Sequence, residues 1–132
     1  MCNQNEWIVR EAFLAYDQAD MPRLMEFVGQ DFEWTYLDPS EPEPQPRASR
    51  SRGELEKSLR RQAERGLHAE LEEVVAAGDQ VILVMRTPGL GRHLGRAGDD
   101  RTYDVVTVRN RLIVALHACR DHSEARSLAG IS

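Results

Sequence analysis

The chain has 132 residues, enough for one hydrophobic core that buries about two-thirds of the unfolded surface, so a single domain spanning residues 1–132 is predicted. Its formal net charge is −5 with both signs interspersed, which argues against a nucleic-acid or membrane partner. Cys2 and Cys119 are too few for a disulfide framework, and the sequence shows neither a signal-peptide pattern nor a membrane-length apolar run, so a cytoplasmic protein is predicted.

Two helices are predicted at the N-terminus. Four residues at helical spacing form the apolar stripe of the first: Val9, Ala12, Phe13 and Tyr16. The second is short. Asp20 is expected to cap it, Pro22 lies in its first turn, and Gly29 is expected to end it.

A first strand is predicted over residues 31–37. Phe32, Trp34 and Tyr36 alternate there with polar residues and therefore share one face. Prolines at positions 39, 42, 44 and 46 then favour an extended loop. This loop is interpreted either as a lid or pocket rim or as a simple connector.

The second half of the chain reads as one helix followed by four strands. Ser51 and Glu54 have the spacing of a capping box, and the helix is expected to end at Gly66. The strands are predicted over 67–77, 81–85, 102–109 and 112–116, with turns at Gly78-Asp79 and Asn110-Arg111. The glycine-rich segment 89–98 precedes a strand and not a helix, so it is interpreted as a connection and not as a phosphate-binding loop.

The last two strands are apolar on both faces. This pattern predicts helices on one face of the sheet and another layer or a second subunit on the other. A homodimer is therefore predicted.

The order of these elements, the chain length and the ending VRNRLIVALHACRDHSEA resemble the nuclear transport factor 2-like superfamily, in particular its SnoaL-like branch beside the ketosteroid isomerases and polyketide cyclases. The resemblance covers essentially the whole chain. It implies an α+β fold, a cone-shaped α+β barrel (cystatin-like roll), whose curved, mixed, mostly antiparallel sheet wraps around N-terminal helices and leaves an apolar cavity. Such a cavity suits a small hydrophobic molecule.

The family's catalytic position is altered in this chain. Catalytic members carry a carboxylate on the last strand, where an apolar pocket raises its pKa toward neutrality. The resemblance aligns that position with Ala118, which cannot transfer a proton. Strand alternation places Leu116 and Arg120 on the same side as Ala118, with Asp104 beside it on the paired strand. Asp104 is the predicted substitute acid or base.

Three further residues complete the predicted site. Arg86 ends a strand where the resemblance to epoxide hydrolases implies an arginine. Its pair with Asp104 is expected either to hold a ligand or to be a structural ion pair at a strand end. Trp34 and Tyr36 are expected at the mouth of the cavity, with the Tyr36 hydroxyl donating to a ligand oxygen. The predicted ligand-binding set is Trp34, Tyr36, Arg86, Leu116, Ala118 and Arg120.

No metal site and no cofactor are predicted. His117 and His122 are spaced for neither one helix face nor one strand face, and His117 is expected to point away from the side of Ala118. Asp121 and Glu124 are interpreted as capping or surface-pairing residues.

Two functions of different classes follow from these residues. The first is a binding protein for a small hydrophobic molecule, without the usual catalytic carboxylate. The alternative is an isomerase, cyclase or epoxide hydrolase that uses Asp104 as acid or base, with Tyr36 and Arg86 assisting.

Overall fold

The computed structural model describes residues 4–37, 46–89 and 100–130, with the backbone alone for 36–37 and 46–50. Four helices and six strands occur within these ranges, and no helix among them is long and apolar enough to cross a membrane. In chain order they are α1 (Gln4–Asp17), α2 (Met21–Glu26), β1 (Val28–Leu37), β2 (Pro46–Arg50), α3 (Arg52–Glu64), β3 (Glu70–Ala77), β4 (Gln80–Arg86), β5 (Arg101–Arg109), β6 (Leu112–Cys119) and α4 (His122–Leu128).

The six strands form one curved sheet in the order β2-β1-β6-β5-β4-β3. β1 runs parallel to β6, and all other neighbours are antiparallel, so the predicted mixed, mostly antiparallel sheet is confirmed. The larger core cluster joins one face of the sheet to α1, α2 and α3. A smaller cluster lies on the opposite face under α4.

The stripe of α1 is close to the predicted one. Ile8, Val9, Ala12 and Ala15 are buried, while Phe13 and Tyr16 are only half-buried. The helix is fixed to the sheet at its start, where the Asn5 side chain donates a 3.0 Å hydrogen bond to the Gly78 carbonyl.

The cap of α2 is confirmed, but its predicted end is wrong. Asp20 accepts a hydrogen bond from the Arg23 amide, as the sequence indicated. The helix ends at Glu26, and Gly29 lies inside β1. The chain leaves the helix early because the Ile113 amide donates a 2.7 Å hydrogen bond to the Phe27 carbonyl and β1 pairs with β6 from Val28 onward.

Strand β2 is absent from the sequence-based prediction. Residues 38–45 lie outside the described residues, but Pro46 begins a strand that pairs antiparallel with β1. A proline is tolerated there because it is the first residue of an edge strand and need not donate to the ladder.

The C-terminal helix α4 was also missed, because its sequence reads as a charged tail. Asp121 caps it by accepting a 2.8 Å hydrogen bond from the Glu124 amide, and Ala125 is fully buried against the sheet. α4 therefore supplies part of the predicted second layer on this face. The homodimer stays a prediction.

The local signals in the middle of the chain are confirmed. Ser51 and Glu54 form a reciprocal capping box at α3. Gly78 adopts a positive φ of 62° in the turn between β3 and β4. Asn110 and Arg111 adopt φ values of 52° and 66° in the tight turn between β5 and β6.

Arg52 joins α3 to the junction of α2 and β1. Its guanidinium donates to the carbonyl oxygens of Met25 (2.9 Å) and Val28 (3.3 Å), and its side chain is half-buried. Arg52→Met should lower the free energy of unfolding by about 1.5–3 kcal/mol, because both carbonyls lose a charged donor. Urea denaturation measures this change. Arg60→Met, which removes only an exposed ion pair with Glu56 in the same helix, should change it by less than about 0.5 kcal/mol.

The turn between β5 and β6 holds Arg111 in a left-handed conformation that glycine adopts without strain. Arg111→Gly should raise the free energy of unfolding by about 0.5–1 kcal/mol, since relief of this strain exceeds the added entropy of the unfolded chain. Thermal denaturation is the measurement. Arg109→Gly, in the adjacent strand, should act in the opposite direction, and equal effects of the two substitutions would contradict this account.

Candidate functional site

Three central strands carry a row of aligned residues on the helix-covered face of the sheet. Leu83 of β4 pairs with Asp104 of β5, and Asp104 pairs with Ala118 of β6. Residues directly opposite each other on neighbouring strands point to the same face. Leu83 belongs to the core cluster under α1 to α3, so Asp104 and Ala118 face these helices as well.

Asp104 is the buried carboxylate of this row. Its exposed fraction is 6%, and among the described residues it is the one charged residue in the buried class. Val106, two positions further along β5, lies in the same core cluster. The carboxylate is therefore withdrawn from solvent, on the face where the predicted cavity would lie.

Thr102 is a second polar residue on this face, and the sequence analysis did not single it out. It pairs with Met85, which packs against the helix-side core, and it lies two positions before Asp104 on the same strand. Its hydroxyl oxygen is buried and has no hydrogen-bond partner, a condition found for no other side chain in the described ranges. Such oxygens are rare in native proteins, which draws attention to this end of β5.

The apolar members of the predicted site lie on the same face of the sheet as these two residues. Trp34 pairs with Leu116 across β1 and β6, and both pack, partly buried, against the helix-side core. Ala118 is half-buried. Its side chain is a single methyl group directly opposite Asp104.

Tyr36 is placed here only by its backbone. It pairs with Arg47 of β2 and directly follows Thr35, which is opposite His117. Its register position is therefore next to that of Ala118. The Tyr36 side chain lies outside the described residues, so its predicted hydrogen bond to a ligand stays a prediction.

The predicted pairing of Arg86 with Asp104 is wrong. Arg86 alternates with Met85 on β4, so it points to the face opposite Leu83 and Asp104. It forms a 3.7 Å ion pair with Glu70 of β3 instead, so Arg86 pairs with Asp104 neither for a ligand nor as a structural ion pair.

Arg120 also lies away from the row, contrary to its predicted role in ligand binding. β6 ends at Cys119, so strand alternation no longer directs the next side chain. Arg120 is exposed, and its Nε atom donates to Glu124 Oε2 at 2.8 Å in the first turn of α4. This also matches the interpretation of Glu124 as a surface-pairing residue.

The opposite face brings together three side chains that the sequence analysis did not combine. A ring nitrogen of His117, the Cys119 sulfur and a Glu124 oxygen all lie within 4.8 Å of one another. His117 thus points away from Ala118, as alternation predicted. Burial raises the pKa of the Cys119 thiol to about 12, and the nearby carboxylates of Glu124, Asp104 and Asp121 add to this shift. As the structure stands, the thiol is protonated at neutral pH.

A shallow recess lies between the ends of α1 and α3. Tyr16 donates a 3.2 Å hydrogen bond to Gln62 across it, and burial together with the charge of Asp17 raises the Tyr16 pKa. Leu67 and His68 follow α3 and directly precede β3, at the end of the sheet where Thr102 lies. The lining residues are Tyr16, Asp17, Ala19, Ala63, Leu67 and His68.

Comparison with solved structures supports the fold. A nuclear transport factor 2-like protein from Burkholderia thailandensis is 26% identical, with a TM-score of 0.68 over 99% of this chain and 100% of that chain. IdmH, a proposed polyketide cyclase from Streptomyces antibioticus, is 19% identical, with a TM-score of 0.68 over 98% and 100%. A cystatin-fold protein from Novosphingobium aromaticivorans is 13% identical, with a TM-score of 0.65 over 88% and 97%.

Comparison of the sequence with curated proteins and with protein-family models identifies the family to which the chain belongs. No curated protein matches the chain. The family model described as a SnoaL-like domain matches residues 9–116, which include Leu83, Asp104 and all of β1 to β5 but end before Ala118. The fold and the resemblance expected from the sequence are thus confirmed, and the chain belongs to the SnoaL-like domain family.

Proposed function

We propose that this protein binds a small, largely hydrophobic molecule with an oxygen-containing group on the helix-covered face of its sheet, against Thr102 and Asp104. The observation that carries this proposal is the buried Thr102 hydroxyl without a partner, two residues from a buried carboxylate. A buried hydroxyl that makes no hydrogen bond lowers stability. A ligand oxygen would provide the missing bond.

The surroundings of the two residues favour a ligand that is mainly apolar. Leu83, Met85 and Leu116 all face the same side of the sheet and contribute no polar atoms. Residues two apart on a strand are separated by about 6.5–7 Å, a distance that suits two oxygen atoms of one small molecule. The likeness to IdmH makes polyketide-like carbonyl compounds the class to test first.

Proton transfer is the second candidate function, and one observation favours it. Asp104 is directly opposite Ala118, so this chain carries a carboxylate one strand away from the family position that lacks one. A carboxylate that is withdrawn from solvent is suited to act as general base or acid toward a carbonyl compound. In this proposal Asp104 moves the proton, and Tyr36 assists as a hydrogen-bond donor.

Thr102→Val tests the binding proposal because it removes the hydroxyl at nearly constant shape. Without ligand, the variant should be more stable by about 1 kcal/mol, since a buried group without a partner is lost. With ligand, it should bind about 2–10-fold more weakly, since one hydrogen bond is lost. Thermal denaturation and calorimetric titration with a panel of apolar ketones and lactones measure the two effects.

The matched control is Thr107→Val, on the same strand but on the opposite face. It should leave ligand affinity unchanged. Two results would refute the binding proposal at this position. One is a Thr102→Val variant that is less stable than the parent protein, and the other is a variant that binds every ligand with the same affinity as the parent protein.

Asp104→Asn separates binding from catalysis. If Asp104 transfers protons, the protein in deuterated water should exchange the α-protons of a bound ketone, and the variant should do so about 10²–10⁴-fold more slowly. Proton NMR of the ketone follows this exchange. Asp79→Asn, which removes an exposed carboxylate paired with Arg109, should exchange at the parent rate.

The positive control moves the carboxylate from β5 to the position directly opposite on β6. The double variant Asp104→Ala, Ala118→Asp keeps one carboxylate in the same row and should exchange faster than Asp104→Ala alone. Binding by the parent protein with no exchange of any ketone tested would leave the binding function and exclude proton transfer on this class of compound.

A further inference from the structure

We propose that His117, Cys119 and Glu124 bind a divalent metal ion of the zinc class, on the sheet face opposite Asp104. This site is independent of the proposed ligand-binding function. His117 and Cys119 are two residues apart on β6, so both side chains point to the face that α4 covers. Glu124, in the first turn of α4, brings the third donor to them.

The types of donor indicate the metal. Imidazole, thiolate and carboxylate are the three side-chain ligands that zinc uses, with bonds of about 2.0–2.3 Å. The donor atoms of this site are within 4.8 Å of one another, whereas donors around a tetrahedral zinc ion are about 3.4–3.6 Å apart. The donor atoms that are furthest apart must therefore approach each other by about 1 Å when the ion binds.

The present partners of these side chains are compatible with a metal. Among the described residues, no side chain forms a hydrogen bond or ion pair with the His117 ring, and the Cys119 thiol donates only a long 3.8 Å hydrogen bond to the His117 carbonyl. Arg120 holds one oxygen of the Glu124 carboxylate, which leaves the other oxygen for a metal. A ligating carboxylate commonly keeps such an outer hydrogen bond.

The charge around the site also favours a cation. The carboxylates of Glu124, Asp104 and Asp121 are close enough to Cys119 to act on it electrostatically. Binding of the ion displaces the proton of the Cys119 thiol, which is released to solvent. Three protein ligands leave a fourth position of a tetrahedral ion for water. The metal would also link α4 to β6, because Glu124 of the helix and His117 and Cys119 of the strand would bind the same ion.

Cobalt titration of the full chain tests the proposal. The experiment uses the Cys2→Ser protein, in which Cys119 is the sole thiol. One equivalent of Co²⁺ should bind, with the near-ultraviolet absorption of a cobalt–thiolate bond and the visible bands of a tetrahedral ion. One equivalent of Zn²⁺ should remove this spectrum and raise the Tm.

Single substitutions then identify the ligands. His117→Gln and Glu124→Gln change half-buried residues, and each should weaken Zn²⁺ binding at least tenfold, since loss of an outer-shell partner alone costs about 10–100-fold. Cys119→Ser should abolish the cobalt–thiolate absorption, with circular dichroism as the check of folding. His68→Gln, an exposed histidine outside the set, should bind as the parent protein does.

Three results would overturn the proposal. The first is a Cys2→Ser protein that binds no Co²⁺ or shows no thiolate absorption. The second is binding that His117→Gln and Glu124→Gln leave intact. The third is binding that His68→Gln removes, which would assign the metal to surface histidines.

Discussion

The uninterrupted register of β4 with β5, and of β5 with β6 from Tyr103–Cys119 to Thr107–Ala115, determines what each side of this protein can do. Because neighbouring residues of a strand point to opposite faces, this register assigns every side chain of the central sheet to one of two chemically different surfaces. Asp104 and Thr102 fall on the face under α1 to α3. His117 and Cys119 fall on the face under α4. A shift of β6 by one residue against β5 would put His117 and Cys119 on the same face as Asp104 and Thr102.

The signals that are local in sequence predicted the structure well. Asp20 and Ser51 act within three residues of the helix starts that they cap, so their hydrogen bonds depend on little else. The same holds for the turn at Asn110, where a short polar side chain tolerates the left-handed conformation. The family resemblance, carried by the end of the chain, extended these local elements to the whole fold.

The features that the sequence analysis missed depend on distant partners. α4 is stabilised by burial of Ala125 against the sheet, and Gly29 lies in a strand because β1 pairs with β6. The candidate site was predictable to the same extent. Alternation correctly placed Asp104 beside Ala118. Arg86 lies outside the site because it pairs with Glu70 on the opposite face of the sheet. Arg120 lies outside it because β6 ends at Cys119 and the arginine pairs with Glu124. The cluster of His117, Cys119 and Glu124 could not be predicted either, because α4, the helix that brings Glu124 close to Cys119, was missed.

The two edges of the sheet have a consequence for how copies of the chain can meet. One edge strand, β2, begins with Pro46, and the other, β3, carries Glu70 and Glu72, whose ion pairs with Arg86 and Arg101 tie them to their own sheet. Proline and charged side chains on an edge oppose the addition of a further strand from another molecule. Continuous sheets across subunits are thereby disfavoured, which directs any self-association of this protein toward contact between sheet faces.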